Sequence, residues 1–189
     1  MIEAELKARV RDVEAVRRWL RERATEEPAT YHDTYYDWPD HRLDTEGREI
    51  RLRTIETRTD TTHLLTYKQP PADASGSKPE HETVVADPNS VEVLLRDLGM
   101  VELVSLTKRC QNYRFTYCDR LILATIVNVP ELDGTFLEIE TLASEVDLES
   151  ALGTVRTVAT KLGVIDSLDY AKYTDSVMQM RVSEQAPKE

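Results

Sequence analysis

Charges on alternate residues constrain this chain more than any other feature. "EAELKA" (3–8) sets Glu3, Glu5 and Lys7 against Ala4, Leu6 and Ala8. "REIRLRTIE" (48–56) does the same with Arg51 and Arg53, "EHETVVA" (80–86) with Glu80 and Glu82, and "FLEIE" (136–140) with Glu138 and Glu140. In "THLLTYKQ" (62–69), Thr66 and Lys68 share a face opposite Tyr67. A strand sends successive side chains to opposite faces, so each segment read as a strand has one charged side and one side carrying apolar residues.

A sheet with one wet face gives this pattern strand by strand. Here, however, like charges cluster by strand: acids on some, Arg or Lys on others. A barrel with its charged face inward would gather them along one tunnel, with the apolar face outward beneath helices. That inverts the ordinary small barrel, whose interior is apolar. Charges so placed are costly unless paired or bound to ions. A polyanion with divalent metal would satisfy both kinds: phosphates take Arg and Lys, and Mg²⁺ or Mn²⁺ takes carboxylate and phosphate oxygens.

The rest of the chain fits an α+β domain. Asp12 reads as the N-cap of a helix through about Arg23, with Val13, Val16 and Leu20 on one face. "YHDTYYDW" (31–38) is a strand ended by Pro39, and "PADASGSKP" (71–79) is a flexible loop. Asp87-Pro88 opens a short helix that Gly99 stops. Residues 101–117 and 120–127 form a hairpin, a helix runs from about Asp147 to Leu162, and 168–180 form a last short helix. About eight strands, many in hairpins, imply a largely antiparallel sheet. Residues 1–180 read as one domain and 181–189 as a disordered polar tail.

A formal charge of −11 argues against nucleic acid or an anionic membrane as partner. No apolar run approaches the ~20 residues of a membrane span, and no signal peptide opens the chain. Cys110 and Cys118 are eight apart on what reads as one strand, roughly 26 Å, too far for a disulfide. Reduced thiols and a cytoplasmic location follow. His32, His41, His63 and His81 show no metal spacing, and no Walker or Rossmann fingerprint is present. A carrier of apolar ligands, lipocalin-like, would need an apolar barrel interior, which the charge parity opposes.

"EAELK" resembles the E-x-E-x-K signature of the CYTH superfamily, the triphosphate tunnel metalloenzymes, which include class IV adenylyl cyclases, thiamine triphosphatases and inorganic triphosphatases. "HDTYYD" (32–37), "IRLR" (50–53), "LTYKQP" (65–70), "PEHET" (79–83), "LTKRCQNY" (106–113), "FLEIE" (136–140) and "YAKYTDSV" (170–177) resemble its later blocks in order, over about residues 1–178. The resemblance implies a closed or nearly closed eight-stranded antiparallel barrel with helices outside. It implies Mg²⁺ or Mn²⁺ on Glu3 and Glu5, joined by Glu138 and Glu140, with Glu80 and Glu82 holding a second metal or positioning basic neighbours. Arg51, Arg53, Lys68, Lys108, Arg109 and Lys7 would bind the triphosphate of a small molecule. Lys7 would also have a base role in a cyclase, and Tyr35 or Tyr36 would assist water activation in a hydrolase. A homodimer is left open.

Two positions depart from the pattern. Cys110 stands where a second base is expected after Lys108; Arg109 is adjacent but has outward strand parity. Ala124, in "LATIV", is aligned with a metal-binding Asp. They leave room for an alternative, a catalytically impaired module that binds triphosphate or polyphosphate.

Overall fold

The computed structural model describes residues 1–71 and 76–185. Its strands are β1 (Ile2–Val10), β2 (Glu27–Asp37), β3 (Glu49–Thr57), β4 (Thr61–Lys68), β5 (Lys78–Val84), β6 (Val101–Tyr117), β7 (Arg120–Asn128) and β8 (Thr135–Ala143). They close into one barrel in the order β1-β5-β4-β3-β2-β6-β7-β8, with every neighbouring pair antiparallel. The helices are α1 (Val13–Arg21), α2 (Arg42–Thr45), α3 (Pro88–Asp97), α4 (Leu148–Lys161) and α5 (Tyr173–Gln185).

Local chemistry sets the boundaries. Asp12 accepts from the Ala15 N–H at 2.9 Å and caps α1. Asp87 caps α3 by accepting from the Asn89 N–H, and Pro88 occupies its first turn. Cys118 and Asp119 both have positive φ, the backbone of a two-residue primed turn that joins β6 to β7 without splaying them. Thus the two cysteines do not share a strand: Cys118 is exposed at the turn and Cys110 buried, both as free thiols. α2 was not legible in the sequence. It is held by Asp37, whose carboxylate accepts the N–H groups of Leu43 and Asp44 at 3.0 Å.

The expected inversion is present. Leu6 and Ala8 of β1 face outward and pack with Phe115, Ile122, Ala124, Leu137 and Ile139 beneath α1 and α4. Leu20 of α1 and Val155 and Val158 of α4 are fully buried there. A second outer cluster sets Leu95 and Met100 against Tyr36, Leu43 and Leu52. At roughly 1.5–3 kcal/mol per buried large side chain, these layers supply the main stabilisation of the barrel wall.

One helix breaks the pattern of outside packing. α5 places Tyr173 and Val177 against Val104, Leu106, Val127 and Phe136, all on the same side of their strands as Lys108 and Glu138. It therefore fills one end of the tunnel. The last helix begins five residues later than its sequence suggests and runs to Gln185, through the first residues of the expected tail. Positions 186–189 of that tail, and 72–75 of the expected flexible loop, lie outside the described residues.

Candidate active site

Strand register brings the charged faces together. Asp33 and Arg53 are ladder partners on β2 and β3. The Arg53 fork donates to both Asp33 oxygens, at 2.6 and 2.7 Å, a bidentate pair buried in the tunnel wall. Burial opposes the Asp33 carboxylate, but Arg53 outweighs it and holds the group well below the usual range. Arg51 donates to the Thr66 hydroxyl at 3.2 Å and lies 3.9 Å from Glu80 and 3.8 Å from Glu82. Thr66 in turn donates to Glu82 at 3.0 Å. Lys68 bridges Glu3 at 2.6 Å and Glu80 at 2.7 Å, and Lys108 donates to Glu138 at 3.0 Å.

The opposite wall holds more carboxylates than bases. Glu5 and Glu140 face each other across the β1–β8 ladder. Among the described residues neither has a cation within ion-pair distance. Burial, then the charges of Glu3 and Glu138, push Glu5 up to about 7. Burial and the neighbouring Glu3 and Glu5 push Glu140 well above the carboxylate range. Glu3 goes the other way: burial resists, but the Lys68 ammonium draws it down to about 2.

Lys7 sits at the filled end. Its ammonium donates to the Ala171 carbonyl, lies 4.2 Å from the Tyr173 ring centre and is 4.0 Å from Asp169. Burial lowers its pKa, opposed by Asp169 and Glu138. The Tyr173 ring also lies 4.4 Å from the Lys108 ammonium. Burial and the Glu138 carboxylate that its hydroxyl faces raise its phenol.

A β-bulge between Tyr35 and Tyr36 separates the two tyrosines. Tyr35, across the ladder from Arg51, keeps the parity of Asp33 and faces the tunnel. Tyr36 is turned into the outer core.

Two expectations are corrected. Arg109 is exposed on the outer face, because strand parity turns it away from Lys108; it does not join the tunnel bases. Ala124 also points outward, into the core with Ile139, so its side chain replaces nothing in the tunnel. The tunnel-facing positions of β7 are Leu123 and Thr125, the ladder partners of Glu140 and Glu138, and Val127. Cys110 does face inward, and burial pushes its thiol up to about 12.

Other tunnel residues escaped the sequence reading. Asp33 shares parity with Tyr31 and Tyr35, the one signal that could have placed it. Asn112 donates to the Tyr31 hydroxyl at 2.9 Å and accepts from Thr125 at 2.9 Å, linking three strands. Tyr173 enters from a helix, which strand parity cannot anticipate.

The donor set fits a hard divalent cation: the oxygens of Glu3, Glu5, Glu138 and Glu140, of which Glu5 and Glu140 have no cationic side-chain partner among the described residues. Among the described residues no three such side chains already converge on one point. That suits Mg²⁺, which takes one or two carboxylates and completes its shell with water and phosphate.

Solved structures share this architecture. The PH1819 protein of Pyrococcus horikoshii OT3 aligns at 24% identity over 94% of this chain and 98% of its own, with a TM-score of 0.82. A candidate adenylate cyclase from Vibrio parahaemolyticus aligns at 20% identity over 95% and 98%, with a TM-score of 0.78. A candidate adenylyl cyclase from Hippeastrum, described as having a dominant triphosphatase activity, aligns at 17% over 95% and 96%, with a TM-score of 0.65. No sequence among the curated proteins matches this one. Likeness at such identity establishes the fold. The CYTH domain model itself matches residues 1–173, which span the whole barrel and α4, and the chain belongs to the CYTH domain family.

Proposed function

We propose that this protein binds and turns over a triphosphate in its tunnel with Mg²⁺ or Mn²⁺, as an adenylyl cyclase or a triphosphate phosphohydrolase. The observation that carries the reading is a single tunnel with Arg51, Arg53, Lys68 and Lys108 on one side and Glu3, Glu5, Glu138 and Glu140 on the other. Family membership supports it, as do the activities named for the Vibrio and Hippeastrum neighbours.

The chain's own residues divide the work. Lys68 and Lys108 now hold Glu3, Glu80 and Glu138. Phosphate oxygens entering the tunnel compete for both ammonium groups, and each exchange frees a carboxylate. Arg51, held through Thr66 and two long ion pairs, is the most available fork for a phosphate. Arg53 stays with Asp33 and contributes its positive field. The bound cation supplies compensating charge to the phosphates and to the freed carboxylates. Lys7, depressed by burial, is placed to hold or accept a proton near the filled end. Tyr35 stands beside the bases and orients the reacting group.

Toward the opposite mouth the tunnel-facing positions mix leucines with the half-exposed Arg114–Glu27 ion pair. Leu64, Leu123 and Leu142 have tunnel parity, being ladder partners of Arg53, Glu140 and Glu3. The leucines offer contact to an organic group on the triphosphate, and Arg114 a further positive charge at the mouth. Two free cysteines support a cytoplasmic site of action, and no helix among the described residues is long and apolar enough to cross a membrane.

The alternative, an impaired binding module, is favoured by β7, which offers the tunnel Leu123, Thr125 and Val127 and no acid. A product screen decides. Purified protein with Mg²⁺ or Mn²⁺ is given ATP, thiamine triphosphate or tripolyphosphate, and cyclic AMP, pyrophosphate and phosphate are resolved. Turnover of an organic triphosphate that stops with EDTA supports the enzyme. Tight metal-dependent binding without any product establishes the module instead.

A further inference from the structure

Helices cover most of the outer face, and the outward residues beneath them are apolar. One area differs. Between α1 and the strands β2, β3, β6 and β7 lies a cavity of about 600 Å³. Its lining includes Arg17, Arg58, Arg109, Gln111 and Asn128. Thr30, Arg109 and Asn128 form one outward row across β2, β6 and β7.

Unmatched arginines gather here beside neutral polar groups. The chain carries a net −11, and most of its arginines are matched by carboxylates, as Arg21 is by Glu26, Arg114 by Glu27 and Arg120 by Asp147. Among the described residues Arg58 and Arg109 have no such match. Arg17 is oriented by donating to Gln111 at 3.0 Å, yet its Nε is buried without a hydrogen-bond partner. The carboxylate it pairs with, Glu14, is three-quarters exposed and screened by solvent. Glu56 is the one acid in the lining, and it lies 3.5 Å from His32.

We propose that this cavity is a second anion site, separate from the tunnel, that takes a phosphorylated small molecule. Its size falls in the range of small-ligand sites. Arginine forks match phosphate oxygens in pairs. Gln111, Asn128 and Thr30 provide neutral donors and acceptors for the polar remainder of the ligand, and Glu56 can accept from its hydroxyl groups. Most of the lining has outward parity, with Ala29, Thr57 and Cys110 the tunnel-parity exceptions, so the site opens chiefly on the outer face of the barrel wall.

The test uses the full chain, metal-free, titrated with inorganic pyrophosphate and followed by backbone amide shifts. Expected are saturable shifts at Thr30, Arg109 and Asn128, beside any at the tunnel residues. Arg58→Gln/Arg109→Gln should weaken the outer response by about ten-fold or more and leave the tunnel response within about two-fold. Both arginines are surface residues, and an unchanged amide spectrum elsewhere verifies that the variant is folded. The proposal is overturned if only tunnel residues shift, if the outer shifts survive the double substitution, or if sulfate reproduces them without saturation.

Discussion

The Asp33–Arg53 pair and the Glu5–Glu140 pair share one tunnel, yet they are electrostatic opposites. Asp33 and Arg53 satisfy each other through two short hydrogen bonds. Glu5 and Glu140 are like charges on adjacent strands, each raised because burial and acidic neighbours disfavour its ionised form. The first pair needs nothing from outside. The second is stable only if it keeps a proton or gains a cation. Charge in a tunnel is therefore not one thing: a matched pair belongs to the fold, and an unmatched one to a ligand.

The largest expected effect comes from breaking the matched pair. Asp33→Asn leaves a buried guanidinium uncompensated and should cost about 3 kcal/mol in chemical denaturation. A loss below about 1 kcal/mol would mean that water reaches Arg53 and that the pair is not structural.

The unmatched pair should respond in the opposite direction. Glu5→Gln removes one of two repelling charges and should stabilise the metal-free protein by about 1–3 kcal/mol at pH 8. Destabilisation would show that Glu5 already has a cationic partner.

The pH dependence sharpens the same contrast. Glu5 titrates near 4.5 when unfolded and at about 7 in the fold. Between those values the folded state binds more protons than the unfolded state, so stability falls as pH rises through that window and levels off above it. Glu3, drawn to about 2, contributes stability that is present above 4.5 and lost only as pH falls toward 2. In EDTA, thermal unfolding should therefore be most favourable to the fold near pH 5 and decline by about 1–2 kcal/mol toward pH 8. A flat or rising profile would contradict the surplus-carboxylate account.

The smallest effect is expected at Arg109. Because it points away from the tunnel, Arg109→Gln should leave triphosphate affinity in the tunnel within about two-fold, a change of about 0.4 kcal/mol. A much larger loss would mean that β6 faces the other way.

The barrel was legible because parity is a strong signal. In "EAELKA" and in residues 137–140 the alternation is unbroken, and register then places Glu5 opposite Glu140 as an inward-facing pair. Parity also assigned Arg109 correctly to the outside, whereas its adjacency to Lys108 suggested a phosphate contact that the strand cannot make. Ala124 misled for a related reason. A gapless motif alignment ignores which face a position occupies, and on β7 the inward face belongs to Leu123 and Thr125. The filled end was not legible. Tyr173 reaches Lys7 and Lys108 from a helix more than sixty residues along the chain from Lys108, a contact that only tertiary packing creates. α2 escaped because its support, Asp37, acts through backbone groups beyond its own strand.

The central claim is that the unmatched carboxylates are a cation site. Calorimetric titration of the wild type with Mn²⁺ at pH 6.5, in two buffers of different ionisation enthalpy, counts the protons released. Glu5 is largely protonated at that pH, so Mn²⁺ must displace its proton. The account predicts measurable proton release from the wild type, and both weaker binding and less release from Glu5→Gln. Equal affinity and equal proton release in the two proteins would contradict it.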